Sequence, residues 1–400
     1  MLDDSLLDDP AALQRADRDH ALLALAGAGA RVRTALRLAD AAGLSRLRPE
    51  GRPRAVLVAG PGSALTAGQA LAALAGNGTL VYPLAPADAR PSDSFSIGLS
   101  WQLPGWAGPL DLLVVASADG VEDGLIRLAE QAYARGCAIA VITPEGRPLA
   151  EAALQVRALP LPYVPSAVEE PTGPAAEPDL PTEDPGAFWA YLAPLLALAA
   201  RIDVVQLGAT ALGSLADLLD ELAVRHRPDA GSYLNPAKGL AAQLAGTVPL
   251  LWSDGELAAV AAERFAAMLA DRAGRPAVTG RLPQALIAHR GMFTGQLAAG
   301  ADPEDFFRDR VEEPDPLTLQ VLLLRHTPQE VPPSAEPETV PEPGPETYSV
   351  RRATRLAAAH DVRLTEFAAH RVEPLAALAE LVALGDFAAV YLGLAAGSGQ

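Results

Sequence analysis

One cysteine stands among 400 residues, so no internal disulfide can form. That residue, Cys137, lies in the apolar run CAIAVIT and reads as a buried strand thiol. Lysine is just as scarce: Lys238 is the only one, three residues after Asn235, itself one of two asparagines. Arginine takes the basic role elsewhere and Ala and Leu dominate, the imprint of a GC-rich gene. Basic residues as a class are outnumbered, 31 Lys and Arg against 49 Asp and Glu, for a net charge of −18. That balance excludes a general nucleic-acid surface, which needs clustered cations against phosphate. It does not exclude a small anion, because loop amides and helix N-termini hold anions whatever the net charge. Long apolar runs are also missing. The longest, around Leu192 to Ala200, contains Pro194, and no membrane span is expected. The opening MLDDSLLDDP is acidic where a secretory leader needs positive charge, so a cytoplasmic protein is expected. No GxSxG, HExxH, CxxC or EF-hand spacing occurs, which leaves serine-hydrolase, zinc and calcium chemistry without support.

What is present is an alternation of short β-rich runs and helical patterns. Residues 10–45 carry a helical stripe of Leu22, Leu25, Val32 and Leu36. RPRAVLVAGPG then predicts a strand ending in a glycine loop, followed by the helix TAGQALAALAG. GTLVYPL, DLLVVAS and CAIAVIT predict three further strands and LQVRALP a fifth, with a helix from Glu122 to Arg135 between the third and fourth. Such continuous apolar runs indicate a parallel sheet covered on both faces. After the acidic, proline-rich stretch 162–186 the pattern restarts. A helix over Ala187–Ala200, a strand IDVVQLG and a helix SLADLLDELAVRH come first. Next is a helix from Pro236 capped by Asn235, then VPLLWSDG as strand and loop and a long helix from Glu256. RPAVTG and LTLQVLLL are the last predicted strands. A second acidic stretch, 328–347, precedes helices over Val350–Ala359 and Val372–Leu394, the latter interrupted at Gly385. The fold expected is α/β: two lobes, each a mainly parallel sheet flanked by helices, with a helical C-terminal segment. Their limits are 1–161 and 187–327, with helices over 348–400 packing on the second lobe.

In open α/β sheets ligands sit beyond the carboxyl ends of the strands, which points to the loops after Val58, Val115, Leu207 and Leu251. The first holds Gly60, Gly62, Ser63 and Thr66: an anion cradle with added hydroxyls, or a tight strand-to-helix turn. It is neither a dinucleotide fingerprint nor a P-loop. The second holds Ser117, Asp119 and Gly120 ahead of Glu122 and Asp123; its carboxylates would repel phosphate, and Asp119 reads equally as a helix cap. A third segment, LPQALIAHRG, follows a strand and carries His289 and Arg290 together, both able to face a sugar phosphate.

The ordered series VLVAGPGSALTAG, VVASADGVEDGLIRLAEQAYARGCAIAVIT, NPAKGLAAQLAGTVPLLWSDGELAAVAAERFAAMLADRAGRPAVTGRLPQ and ALAELVALGDFAAVYLGLAAG resembles the SIS-domain (sugar isomerase) proteins. The likeness is to the bacterial and archaeal bifunctional phosphoglucose/phosphomannose isomerases. The resemblance implies two SIS lobes, a homodimer, a small phosphosugar as ligand, and aldose–ketose isomerisation of sugar 6-phosphates with no metal or other cofactor. Such a reaction needs a base to move a proton between C2 and C1 and an acid to open the ring. Carried over residue by residue, the family's hydroxyl-rich phosphate loop falls on Ala116–Gly124, where only Ser117 offers a hydroxyl. Its first-loop serine falls on Ala64, beside Ser63, and its catalytic glutamate on Gln284. An amide cannot take a C–H proton as a carboxylate does, and His289 is then the best remaining acid/base, with Arg290 as phosphate partner. Three functions follow from this pattern: an isomerase with a rearranged site, a non-catalytic sugar-phosphate-binding or regulatory protein that has lost the catalytic Glu, or a structural partner that stabilises a related enzyme.

Overall fold

The computed structural model describes residues 4–49, 51–90, 98–166, 183–295, 297, 317–326 and 347–397. Most of both acidic, proline-rich segments, 167–182 and 327–346, lies outside the described residues. Two compact units form, one of Arg18–Glu221 (the N-lobe) and one of Met1–Asp17 with Leu222–Gln400 (the C-lobe).

The N-lobe contains β1 (Ala55–Ala59), β2 (Leu80–Leu84), β3 (Asp88–Arg90), β4 (Gly98–Ser100), β5 (Asp111–Ala116), β6 (Ala138–Thr143) and β7 (Leu159–Pro162). Five of these form a parallel sheet in the order β2-β1-β5-β6-β7, while β3 and β4 pair as a small antiparallel ribbon. Every residue of β1 and β5 is buried, as expected of central strands covered on both faces. Leu57, Leu113, Val115 and Val141 pack under helices Asp123–Ala134 and Pro148–Gln155. On the other face helix Gly62–Ala75 lies so close that a Cβ on Gly68 would come within 2.9 Å of Val58 Cβ. Helices Ala28–Ala41 and Ala187–Arg201 complete that layer. Proline occurs in β2 and β7, the two edges, where a missing N–H breaks no ladder.

The C-lobe contains β8 (Thr247–Asp254), β9 (Val278–Arg281), β10 (Thr318–Arg325) and β11 (Arg363–Ala368), a parallel sheet in the order β11-β10-β8-β9. One face, with Leu250, Trp252, Val321 and Leu323, packs on Ala285, Phe293 and helix Tyr348–Ala359. The other is covered by helices Pro236–Leu244 and Glu256–Ala273, which in turn hold Pro374–Gly397. Asn235 caps its helix as expected, accepting from the Ala237 and Lys238 amides with Pro236 in the first turn.

Four sequence expectations are corrected. IDVVQLG forms no strand: the Val204 and Val205 amides bond the Ala199 carbonyl, and Asp203 adopts φ +60°, so the backbone closes the preceding helix. The loop after Leu207 therefore does not follow a strand. The fifth strand begins later, at Leu159, because Gln155 still belongs to a helix. An unforeseen strand, β11, forms from RLTEFA. Helix Pro374–Gly397 is not interrupted at Gly385, because that glycine serves close packing and not a turn: a Cβ there would meet the Phe265 ring at 3.0 Å. This helix is also long and apolar enough by composition to cross a membrane, which the sequence reading missed by dividing it; 83% of its most apolar window is buried within the protein, as in a core helix.

Candidate functional site

In the N-lobe, adjacent strands β1 and β5 deliver the first two candidate loops side by side. Gly60 permits this: a Cβ there would lie 2.4 Å from the Ala116 carbonyl oxygen and 2.6 Å from Ala64 Cβ. Gly62 opens its helix at φ +48°, and the buried Ser63 directs its amide at Glu183, whose Oε1 accepts at 2.7 Å. The Thr66 hydroxyl turns back toward the Gly62 carbonyl, 3.5 Å away.

The second loop is closed on itself. Ser117 is fully buried; its hydroxyl donates to Glu122 Oε2 at 2.5 Å and accepts the Gly120 amide at 2.7 Å. Burial raises the Glu122 carboxyl above its ordinary pKa, and the Ser117 hydrogen bond opposes that shift. Gly120 holds φ +65° against Thr143 and Arg147, a corner that a side chain would fill. Asp119 is exposed and does not cap the helix; Glu122 holds the N-cap position, and its carboxyl is turned to Ser117.

In the C-lobe, β9 runs through a cis Leu282–Pro283 peptide into the short helix Gln284–Ala288. Gln284 is exposed at the first residue of that helix. His289 follows its end, and its Nδ1 accepts from the Trp252 indole N–H at 2.9 Å. Indole nitrogen only donates, so Nδ1 is unprotonated and Nε2 carries the proton. Burial lowers the His289 pKa further, which favours this neutral form. Gly280 makes the packing feasible, since a Cβ there would lie 2.6 Å from His289 Cε1. As held, the imidazole can donate one hydrogen bond; its only lone pair is engaged. Arg290 is exposed beside it.

Gly60, Gly62, Ser63 and Thr66 thus adjoin Ser117, Asp119 and Gly120 in one lobe, while Gln284, His289 and Arg290 share one segment in the other. Sequence reasoning missed Glu183, which sits in a stretch read as spacer, and Trp252, which reads as ordinary core. It also missed the chain across the strand ends of the C-lobe. There Arg325 bonds Glu366 at 2.6 Å and approaches Asp254 at 3.4 Å. Among the described residues no group of three or more His, Cys, Asp or Glu is placed to hold a metal ion.

Residues 234–398 match the family model of the bacterial phospho-glucose isomerase C-terminal SIS domain. No curated protein matches the sequence. Among solved structures, a candidate phosphosugar isomerase of Clostridium difficile aligns over 94% of this chain and 93% of its own, with TM-score 0.58 at 11% identity. A hypothetical protein of Thermus thermophilus aligns over 98% and 89%, with TM-score 0.61 at 15% identity. The C-terminal domain of glucosamine-fructose-6-phosphate aminotransferase from Francisella tularensis aligns over 94% and 96%, with TM-score 0.55 at 10% identity. At these identities the likeness is one of fold.

Proposed function

We propose that this chain, whose residues 234–398 match the bacterial phospho-glucose isomerase C-terminal SIS domain, is a member of the SIS-domain, phosphoglucose isomerase-like family and binds a sugar 6-phosphate without isomerising it. The observation that carries this reading is the pairing of Gln284 with a locked His289. Gln284 stands where the resemblance requires a carboxylate base, and an amide has no proton affinity to offer. His289, the only imidazole on that segment, spends its lone pair on Trp252. Loss of a general base costs about two to four decades in rate, enough to remove a useful isomerase. The SIS scaffold, with its loops at the strand ends, remains suited to ligand recognition. A homodimer accompanies this reading, as the resemblance implies.

Deuterium exchange at C2 of glucose, mannose and fructose 6-phosphates, followed by NMR, tests it. The expected result is background exchange with measurable calorimetric binding, and a gain in exchange in Gln284→Glu. Exchange well above background in the wild type that disappears in His289→Ala would overturn the reading in favour of an active, rearranged isomerase.

A further inference from the structure

The first loop of the N-lobe already holds an anion, and it belongs to the chain itself. Glu183 Oε1 accepts the Ser63 amide at 2.7 Å, at the positive end of the fourteen-residue helix Gly62–Ala75. The seat is shaped for this carboxylate. A Cβ on Gly62 would lie 2.7, 2.8 and 2.9 Å from Glu183 Oε1, Oε2 and Cδ, so glycine leaves the space the carboxyl fills.

The backbone that presents Glu183 is fixed independently. Its neighbour Asp184 pairs with Arg31 at 2.6 Å, and Arg31 is buried. The same guanidinium donates to the Val164 carbonyl at 2.7 Å and to the Tyr163 hydroxyl at 3.1 Å. Asp184 Oδ1 also accepts the Gly186 amide at 2.8 Å, and a Cβ on Gly186 would strike Arg31 Nη1 at 2.6 Å. One buried cation thus ties residues 163–164 to residue 184, which sets Glu183 over the loop.

We infer that Glu183 is an autoinhibitory plug: an internal carboxylate seated where a ligand phosphate would bind, which must leave before that ligand enters. The inference rests on the sugar-phosphate reading above and adds its regulation. A carboxylate and a phosphate seek the same donors, amides at a helix N-terminus, and two anions cannot share them. The apparent affinity for an anion is therefore the intrinsic affinity multiplied by the fraction of molecules in which Glu183 has swung out.

Calorimetric titration of the full chain with inorganic phosphate and with glucose 6-phosphate tests this. Glu183 is exposed, so Glu183→Ala should fold as the wild type does, which its unfolding midpoint will show. Glu183→Ala is expected to bind inorganic phosphate about tenfold tighter or better, as for a seat open in a tenth of molecules or fewer. Glu183→Gln, which keeps an acceptor for the Ser63 amide but drops the charge, should gain less. If the wild type binds glucose 6-phosphate and neither variant binds either anion more tightly, the plug is refuted while the sugar-phosphate reading stands. If neither wild type nor variants bind either anion, both fall together.

Discussion

Burial fixes the charge state of His226. It is 2% exposed, lies against Phe387 in a tilted ring contact with centroids 5.4 Å apart, and burial lowers its pKa from 6.5 to about 4. Above pH 6.5 the residue is neutral both folded and unfolded and contributes no pH dependence. Between pH 6.5 and 4 the unfolded chain takes up a proton that the folded chain refuses, so stability falls as pH falls, by about 3 kcal/mol over the window. His226→Phe is expected to reduce that decline, read as the difference between wild-type and variant urea midpoints at pH 7 and pH 4.5. Lys238 meets the same constraint by another route. Fully buried, it spends its three ammonium protons on the carbonyls of Leu7, Pro228 and Ala230, at 2.6, 2.6 and 2.8 Å. Its rarity made it conspicuous in the sequence, but only the fold shows that its partners are backbone oxygens and not a ligand.

At the level of elements, the contact between helices Glu256–Ala273 and Pro374–Gly397 rests on glycine. A Cβ on Gly393 would lie 2.0 Å from the Arg272 carbonyl oxygen, a backbone atom that cannot turn aside. In an exposed helix, glycine to alanine gains about 1 kcal/mol in propensity. Here overpacking costs about 1–3 kcal/mol and should win. Gly393→Ala is accordingly expected to lower the thermal midpoint, whereas Gly397→Ala, with nothing within 4 Å of the added carbon, should leave it unchanged or raise it. Between the same helices Arg264 and Asp386 pair at 2.8 Å, both nearly excluded from solvent. The sequence displayed Gly385 and Asp386 as a break in a helical pattern. Small size and charge are local signals for a turn, and their use in packing and pairing depends on Phe265 and Arg264, more than 100 residues away.

For the whole molecule, the chain's first residues matter more than their sequence suggested. Residues 1–17 belong to the same compact unit as residues 222–400. Leu7 supplies one of the Lys238 acceptors, and Asp8 accepts both the amide and the hydroxyl of Ser232, at 2.7 and 3.0 Å. Helices Asp4–Leu7 and Pro10–Ala16 rest on Pro374–Gly397. Deleting residues 1–17 strips an acceptor from a buried ammonium, at about 1–3 kcal/mol or more for a charged group, besides the lost apolar cover. The expected outcome in hydrogen-exchange mass spectrometry is faster exchange across residues 222–260 and 374–397. Unchanged protection there would show that the segment is dispensable.

Hydrophobic pattern alone determined the strands β1, β5, β6, β8 and β10, the parallel α/β class and the capped helix after Asn235. Burial on both faces and local capping chemistry are written in neighbouring residues. The ordered motifs also carried the SIS likeness and the expectation that Gln284 stands at the family's glutamate position. Only the tertiary structure decided what the candidate groups are free to do. Ser117 is consumed by Glu122 and Gly120, His289 by Trp252, and the Ser63 amide by Glu183. A side chain's type sets which hydrogen bonds it can make. Whether that capacity is already spent depends on partners that folding brings together, 37 residues apart for His289 and 120 for Ser63.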